Sequence, residues 1–281
     1  MENISLSNKL RIKKLKEKKY LELFGVRKRT FDKMFSILEA AFEGLHQRGG
    51  RPPRLSVLDK LIITLGYYHD YRTMNNIAFD YNVSKSRISD AVKWVETTLI
   101  KDGTFSLPSK RELLNDETEI TVVIIDATEC ETERPKKNQK ESYSGKQKCH
   151  TIKDQIVING LSGEIICIDE AKGSVHDFEL FKQSKIYLLD DILMIGDKGY
   201  QGIHSFHAFS LIPFKKPRNG ELTEEQKEFN RVLSKFRILI EHVNRRIKRF
   251  KMFQYRYRNK QRKHLLRLSL ICGIYNFELR Y

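Results

Sequence analysis

The 281-residue sequence has few of the residues that build disulfide frameworks or zinc sites, with only four cysteines. None of the four belongs to a Cys-x-x-Cys pair or stands at ligand spacing from a histidine, which argues against structural zinc and favours reduced, buried thiols. No apolar stretch approaches the ~20 residues of a membrane span, and no signal-peptide pattern follows Met1. These absences predict a cytoplasmic protein that does not contact a membrane.

Acidic residues are also scarce, with 36 Asp and Glu against 52 Lys and Arg, for a net charge of +16. Such an excess predicts a polyanionic partner, because Lys and Arg that neutralise phosphates release condensed counterions. Between Arg231 and Arg267, fourteen basic residues accompany a single acid, Glu241, and aromatic residues interleave with the bases. This block favours nucleic-acid binding. The smaller basic cluster at residues 9–19 fits a solvated helix face equally well.

The periodicity of apolar residues divides the chain into two parts. Residues 1–115 are helical by pattern, including a helix that Thr30 is placed to cap, and Gly49 to Pro53 interrupt this part. Residues 116–281 alternate strand-like and helical segments, an order typical of an α/β domain with a mixed central sheet. We therefore predict a helical N-terminal region followed by an α/β domain.

Residues of about 55–100 have the pattern of a helix-turn-helix. Ser56-x-x-Asp59 is a capping box, Asn82 tolerates the left-handed conformation that a tight turn needs, and Ser84 can cap a second helix. The N-terminal exposed side of that second helix, where recognition helices touch DNA, presents Lys85, Ser86, Arg87 and Lys93. A plain helical hairpin is the alternative interpretation.

Two apolar runs of the second part each lead into an aspartate. Residues 122–125 precede Asp126, and residues 192–196 precede Asp197. A carboxylate at the end of a buried strand must be solvated or liganded, and ligands of α/β sheets gather at strand ends. Further strands are predicted at 150–159, 164–168 and 210–214, a short helix at 177–183, and a long helix from the Thr223-x-x-Gln226 capping box to about Phe250.

Glu241 lies on the polar face of that long helix. On a helical wheel this face carries Ser234, Arg237, Glu241, Asn244, Arg245 and Lys248. A ladder of ion pairs is the simpler interpretation, but one carboxylate cannot neutralise so many bases. If Asp126, Asp197 and Glu241 converge, their oxygens would suit Mg²⁺, with Mn²⁺ as a substitute, held against a phosphodiester.

An ordered set of motifs resembles the DDE transposases of bacterial insertion sequences, in the IS-five group, which are related to Harbinger-type transposases. The resemblance runs from the helix-turn-helix to Asn276. Its motifs are Asp126-Ala-Thr-Glu, Arg134-Pro135, Tyr143-Ser-Gly-Lys146, His150-Thr-x-Lys153, Gly173-Ser-x-His-Asp177, Gly196-Asp-Lys-Gly-Tyr-Gln-Gly202 and Arg237-x3-Glu241-x6-Lys248.

This resemblance implies an RNase H-like catalytic domain with two Mg²⁺ ions and Asp126, Asp197 and Glu241 as the catalytic and metal-binding acids. It also implies binding to terminal inverted repeats and target DNA, cleavage followed by strand transfer, and a homodimer or larger assembly on nucleoid DNA. Related groups have a tyrosine where this chain has Ser234. Besides the helix-turn-helix, the expected DNA contacts are Lys146, Lys153, Arg237, Arg245 and Lys248.

Asp177 competes with these acids for a place in the site. Ser174-x-x-Asp177 reads as a capping box, so we expect Asp177 to begin a helix and leave it, with His176, outside the trio. Two other functions stay open: a transposase-derived repressor that binds DNA without cutting it, and a plain RNase H-like endonuclease.

Overall fold

A computed structural model describes residues 4–46 and 53–281. The predicted interruption lies outside these ranges, apart from Pro53. The chain divides into two compact units, one of residues 1–106, 248–254 and 270–281, and the other of residues 107–247 and 255–269. Each unit thus combines several segments of the sequence. The predicted domain boundary at residue 115 stays a prediction.

The first unit is helical, as predicted for the N-terminal region. Its N-terminal helices are α1 (Ile4–Lys13), α2 (Glu17–Phe24), α3 (Lys28–His46), α4 (Val57–His69), α5 (Met74–Asp80) and α6 (Lys85–Asp102). Helix α3 begins before Thr30, so the predicted cap at that residue is wrong. The buried Thr30 hydroxyl instead donates to Oε1 of Glu278 at 2.9 Å.

Helices α4 to α6 form the predicted helix-turn-helix. Ser56 and Asp59 form a full capping box at α4, while Thr73 and Ser84 cap α5 and α6. Asn82 adopts the left-handed conformation in the turn, with φ of 48°. Ile88, Ala91, Val92 and Val95 are buried along the inner face of α6. Local polar bonds and a periodic apolar face therefore fix this motif.

The second unit is built on a sheet. Its strands are β1 (Val122–Glu131), β2 (Tyr143–Ser144), β3 (Cys149–Asn159), β4 (Ile165–Lys172), β5 (Leu193–Ile195) and β6 (Ser210–Leu211). Its helices are α7 (Gln139–Ser142), α8 (Asp177–Ser184) and α9 (Glu224–Ile247). A last helix, α10 (His264–Leu279), gives residues 264–269 to this unit and its remainder to the first. No helix in the described ranges is long and apolar enough to cross a membrane.

The sheet is mixed, with the order β2-β3-β1-β5-β6 and β4 paired to β3. Strand β3 runs antiparallel to β1 and β4, whereas β5 runs parallel to β1 and β6. Strands β3 and β4 are joined by a turn at residues 160–162. The predicted fold class is therefore confirmed: a helical region with a helix-turn-helix precedes an α/β domain with a mixed sheet.

One face of the sheet packs on α8 and the segments around it. The core contributed by the sheet includes Val123, Ile125, Val157, Cys167 and Met194, and Phe181 of α8 joins it. These β-branched and apolar residues alternate along their strands with residues of the opposite face. The opposite face carries Asp126.

Several predicted boundaries differ from the structure, including those of β4, which continues to Lys172, and β6, which ends at Leu211. Strand β1 does not stop at Asp126 but continues to Glu131, because residues 127–131 keep their pairing with β3. The α9 helix ends at Ile247, before the predicted Phe250, although its predicted capping box between Thr223 and Gln226 is present. Asp126 therefore lies in the middle of β1. Asp197 lies two residues after the end of β5, with Gly196 between them.

Candidate active site

Asp126 lies on β1, and Asp197 lies just beyond the end of the neighbouring parallel strand β5. The pairing of β1 with β5 ends at Ile124 and Ile195, two residues before the respective aspartates. Neighbouring strands lie about 4.8 Å apart, so the shared register brings the two carboxylates to the same place on the sheet. Both side chains are partly buried.

Helix α9 covers Asp126 with polar side chains. Asn244 Nδ2 donates to Asp126 Oδ2 at 3.0 Å, and Arg237 Nη2 lies 3.6 Å from Asp126 Oδ1. Residues 237 and 244 stand two helical turns apart, and Glu241 occupies the turn between them, exposed to solvent. The predicted polar face of α9 thus meets the predicted strand aspartate.

The electrostatics of Asp126 are those of a crowded acidic site. The pKa of Asp126 is raised to about 6, mainly by burial and to a smaller extent by the neighbouring Asp197 and Asp177, against the lowering effect of Arg237. The pKa of the buried Tyr200 phenol is well above its usual value, because of burial and the carboxylates of Asp126, Asp177 and Asp197. A cation at this position would relieve the repulsion between the aspartates.

Asp177 is the unexpected member of this site. The carboxylates of Asp177 and Asp197 both lie close to the Gly199 backbone. A Cβ atom at position 199 would lie 2.2 Å from Asp177 Oδ2 and 2.9 Å from Asp197 Oδ1. The Gly199 N–H also donates to Asp197 Oδ1 at 2.7 Å. Lys153 Nζ donates to Asp177 Oδ1 at 2.7 Å. The three aspartates are therefore neighbours, on β1, after β5 and at the start of α8, although their ligand atoms do not all lie within 4.8 Å of one another.

Helix α8 begins at Asp177, as predicted, but the predicted Ser174-x-x-Asp177 capping box is absent. His176 is the N-cap residue of α8 and makes no side-chain cap bond, and the Ser174 hydroxyl donates to the Glu141 carbonyl instead. Because of that capping-box pattern, Asp177 was predicted to lie outside the acidic trio. Gly199, two residues after Asp197, was the one indication in the sequence that another group packs closely against the backbone at this point.

Asp126, Asp197 and Glu241 do not stand at ligand distance as a set. Across residues 4–46 and 53–281, the one group of three or more possible ligands whose atoms all lie within 4.8 Å of one another is Asp154, Glu170 and His264. Glu241 therefore stays a predicted ligand, one that the α9 helix places on the turn beside Asp126.

The group around His264 is best explained as a buried ion network. His264 Nε2 lies 3.0 and 2.9 Å from the two carboxylate oxygens of Asp154, and both residues are almost fully buried. Against the effects of burial and Arg267, the Asp154 and Glu170 carboxylates raise the pKa of His264, which favours the charged histidine beside the two acids. This network joins β3 and β4 to the start of α10.

The predicted DNA contacts fall into two sets. Lys85, Ser86, Arg87 and Lys93 are exposed on α6, Lys146 and Arg245 are exposed, and Lys248 is half-buried. Lys153 and Arg237 instead face the acids: Lys153 is 7% exposed and donates to Val175 O and Asp177, and Arg237 lies against Asp126. The exposed side chains are free to meet a phosphate backbone, whereas the structure gives Lys153 a protein partner.

Comparison with known protein families agrees with this architecture. Residues 125–276 match the model of the DDE superfamily endonucleases, and residues 53–105 match the helix-turn-helix of the DDE superfamily endonucleases. The first match begins one residue before Asp126 and includes Asp197 and Glu241, and the second includes α4 to α6.

Two curated relatives extend over most of the chain. The probable transposase for insertion sequence element IS702 of Microchaete diplosiphon is 42% identical over 267 residues, which is 95% of this chain and 96% of that protein. A protein of Streptomyces albus G described as a transposase for insertion sequence element IS112 is 24% identical over 234 residues, 82% and 83% of the two chains. The chain belongs to the DDE superfamily of transposase endonucleases.

Proposed function

We propose that this protein is the transposase of an insertion sequence, which binds the terminal inverted repeats of its element, cuts there and joins the ends to target DNA. The observation that carries this proposal is the position of Asp126 and Asp197, each two residues beyond the last paired residues of β1 and β5, next to a basic helix that presents Glu241. The relatives described as insertion-sequence transposases support the choice of substrate.

The residues around Asp126 fit divalent metal. The aspartates repel one another, and Asn244 Oδ1, a buried oxygen, meets no hydrogen-bond donor in the described part of the chain. Asp126, Asp197 and Glu241 would hold Mg²⁺, or Mn²⁺ in its place, as an all-oxygen ligand set. Two such ions, when bound, activate the attacking oxygen and stabilise the leaving oxygen of an in-line displacement.

The surrounding bases orient the DNA for two successive displacements. In the first, a water oxygen bonds to phosphorus at the element end while the bond to the 3′ oxygen breaks and leaves a 3′-hydroxyl. In the second, that hydroxyl attacks a target phosphate and displaces a 3′ oxygen of the target. Arg237 and Arg245 of α9 position the backbone, and Lys248, which follows α9 in the chain, is a further backbone contact.

The helix-turn-helix supplies recognition of the ends. Its exposed Lys85, Ser86, Arg87 and Lys93 lie in the N-terminal half of α6, the part of a recognition helix that meets base edges and phosphates. Two ends must be brought together before joining, so the active species on DNA is a dimer or larger. The protein then works at the nucleoid, in the cytoplasm, where its element lies.

The test uses duplex DNA that carries the short inverted repeats flanking the gene. Asp126→Asn, Asp197→Asn and Glu241→Gln should each abolish Mg²⁺-dependent nicking at the repeat end and leave binding to that duplex unchanged. Asp191→Asn, an exposed aspartate of the same unit, is the matched control and should cut normally. Full cleavage by Asp197→Asn would contradict the assignment.

The same assay with labelled ends separates the proposal from the two other functions. Joined products identify a transposase, cleavage without joining identifies a plain endonuclease, and binding without cleavage identifies a repressor.

A further inference from the structure

Asp177 is an acid that the family's trio leaves without a role, yet the structure puts it among the catalytic aspartates. Its charge acts on both Asp126 and Tyr200, and its Oδ2 presses on the same glycine as the Asp197 carboxylate. The Asp177 side chain retains about one fifth of its exposure. The Asp177 carboxylate therefore lies at the acidic site and is partly accessible to solvent.

A buried lysine fixes the direction of this carboxylate. Lys153 Nζ donates to Asp177 Oδ1 at 2.7 Å and to the Val175 carbonyl at 2.6 Å, and its side chain is 9% exposed. With Oδ1 held by the lysine, Oδ2 is the oxygen turned toward Gly199 and Asp197. This is the arrangement in which an outer partner orients a metal ligand through its second atom.

We propose that Asp177 is a further carboxylate ligand for divalent metal at this site, oriented by Lys153. The inference rests on the proposed function, because it assigns a new ligand to the same metal site. The Lys153 ammonium offsets one of the three aspartate charges, which lets the carboxylates stand together before a cation arrives. It leaves Oδ2 of Asp177 as the atom that faces the cation.

The competing explanation is a purely structural ion pair. Lys153 is buried, so removing the Asp177 charge leaves an unpaired ammonium and disturbs the fold around it. The two explanations differ in what happens when both charges are removed. Lys153→Met together with Asp177→Asn leaves no unpaired charge, so a structural defect is rescued while a missing ligand is not.

The experiment measures Mn²⁺ binding to the full chain by the electron paramagnetic resonance signal of the free ion. Asp177→Asn should weaken Mn²⁺ binding by about tenfold or more, the size expected for an altered metal shell. The Lys153→Met, Asp177→Asn double variant should remain as weak and should fold normally by circular dichroism. Glu179→Gln, an acid two residues along α8, is the matched control and should bind Mn²⁺ like the wild type.

Two outcomes overturn the inference: wild-type Mn²⁺ affinity in Asp177→Asn, or restored affinity in the double variant. Asp197→Asn is measured in parallel, because the proposed function requires it to lose Mn²⁺ affinity and cleavage. If Asp197→Asn loses both while Asp177→Asn keeps its affinity, the inference on Asp177 alone is wrong. If Asp197→Asn keeps both, the proposed metal site itself is wrong.

Discussion

At the scale of single residues, the acidic site depends on a position without a side chain. Gly199 lies against the Asp177 and Asp197 carboxylates, and its N–H binds the second of them. Its backbone does not need the left-handed region, so close approach alone explains the glycine. Any Cβ would enter the space in which the two acids stand.

The first prediction is that Gly199→Ala damages the site and leaves the DNA-binding helices intact. A methyl group 2.2 Å from Asp177 Oδ2 must push at least one carboxylate away, and misplacing a catalytic group by about 1 Å can lower a rate by about 100-fold. Nicking of the repeat duplex is the measurement, with duplex binding measured alongside. Gly220→Ala, which meets only ordinary contacts with Pro217, should cut like the wild type. Normal nicking by Gly199→Ala would contradict the close packing.

The residues of the site differ in how readily the sequence reveals them. Asp126 and Asp197 follow apolar runs, and Glu241 interrupts a basic helix face, so each has a local signature. Asp177 and Lys153 meet because α8 begins beside β3, and no short sequence pattern encodes that encounter. The local pattern around Asp177 even indicated a different role, that of a helix cap.

At the scale of elements, the helix-turn-helix was predictable because its determinants are local. Side-chain caps, a left-handed asparagine and one apolar face specify α4 to α6 within a continuous stretch. Strand β1 was less predictable, since residues 127–131 pair with residues 151–155 of β3, a separate segment of the chain. Apolar runs mark where a strand is buried, not where its hydrogen bonds end.

The second prediction concerns the turn between α5 and α6. Asn82 is exposed with φ of 48°, a conformation that costs a β-branched residue roughly 1–2 kcal/mol and glycine almost nothing. Asn82→Val should therefore lower the thermal unfolding midpoint, whereas Asn82→Gly should leave it close to that of the wild type. Scanning calorimetry of the full chain compares the pair. Equal midpoints for the valine and glycine variants would refute a role for backbone strain.

The third prediction concerns the His264 network, which joins β3, β4 and α10. Burial alone lowers the pKa of His264, but the Asp154 carboxylate and, to a smaller extent, Glu170 outweigh burial, so the pKa is raised. A raised pKa means that the protonated histidine stabilises the fold fully below its unfolded pKa of about 6.5. That contribution is lost as the pH rises through the folded value.

Urea unfolding of the wild type and His264→Gln from pH 6.5 upward tests this linkage. The difference in free energy of unfolding between the two proteins should be largest at pH 6.5 and should shrink as the pH rises. Ser205→Ala, which removes an exposed hydroxyl and no titrating group, is the control and should show no such trend. A difference that stays constant with pH would mean that His264 is not charged in the folded protein.

At the scale of the whole molecule, the net charge of +16 was the most direct sequence evidence for a nucleic-acid partner. The structure divides the bases by task. Some basic side chains are exposed, as in the N-terminal half of α6, whereas Lys153 contacts Asp177 and Arg237 contacts Asp126. Total charge therefore overstates the number of phosphate contacts, because charges that face carboxylates release no counterions from DNA.

The last prediction measures how many of the exposed bases on α6 contact phosphate. Replacing Lys85, Arg87 and Lys93 together by alanine should weaken binding to the repeat duplex at every salt concentration. The slope of the logarithm of affinity against the logarithm of salt should also fall by roughly 2–3, since each lost contact removes about 0.9. Lys101→Ala, an exposed lysine in the last turn of the same helix, should leave the slope unchanged. An unchanged slope in the triple variant would place the phosphate contacts elsewhere, and α6 would then be a plain helix of a hairpin and not a recognition helix.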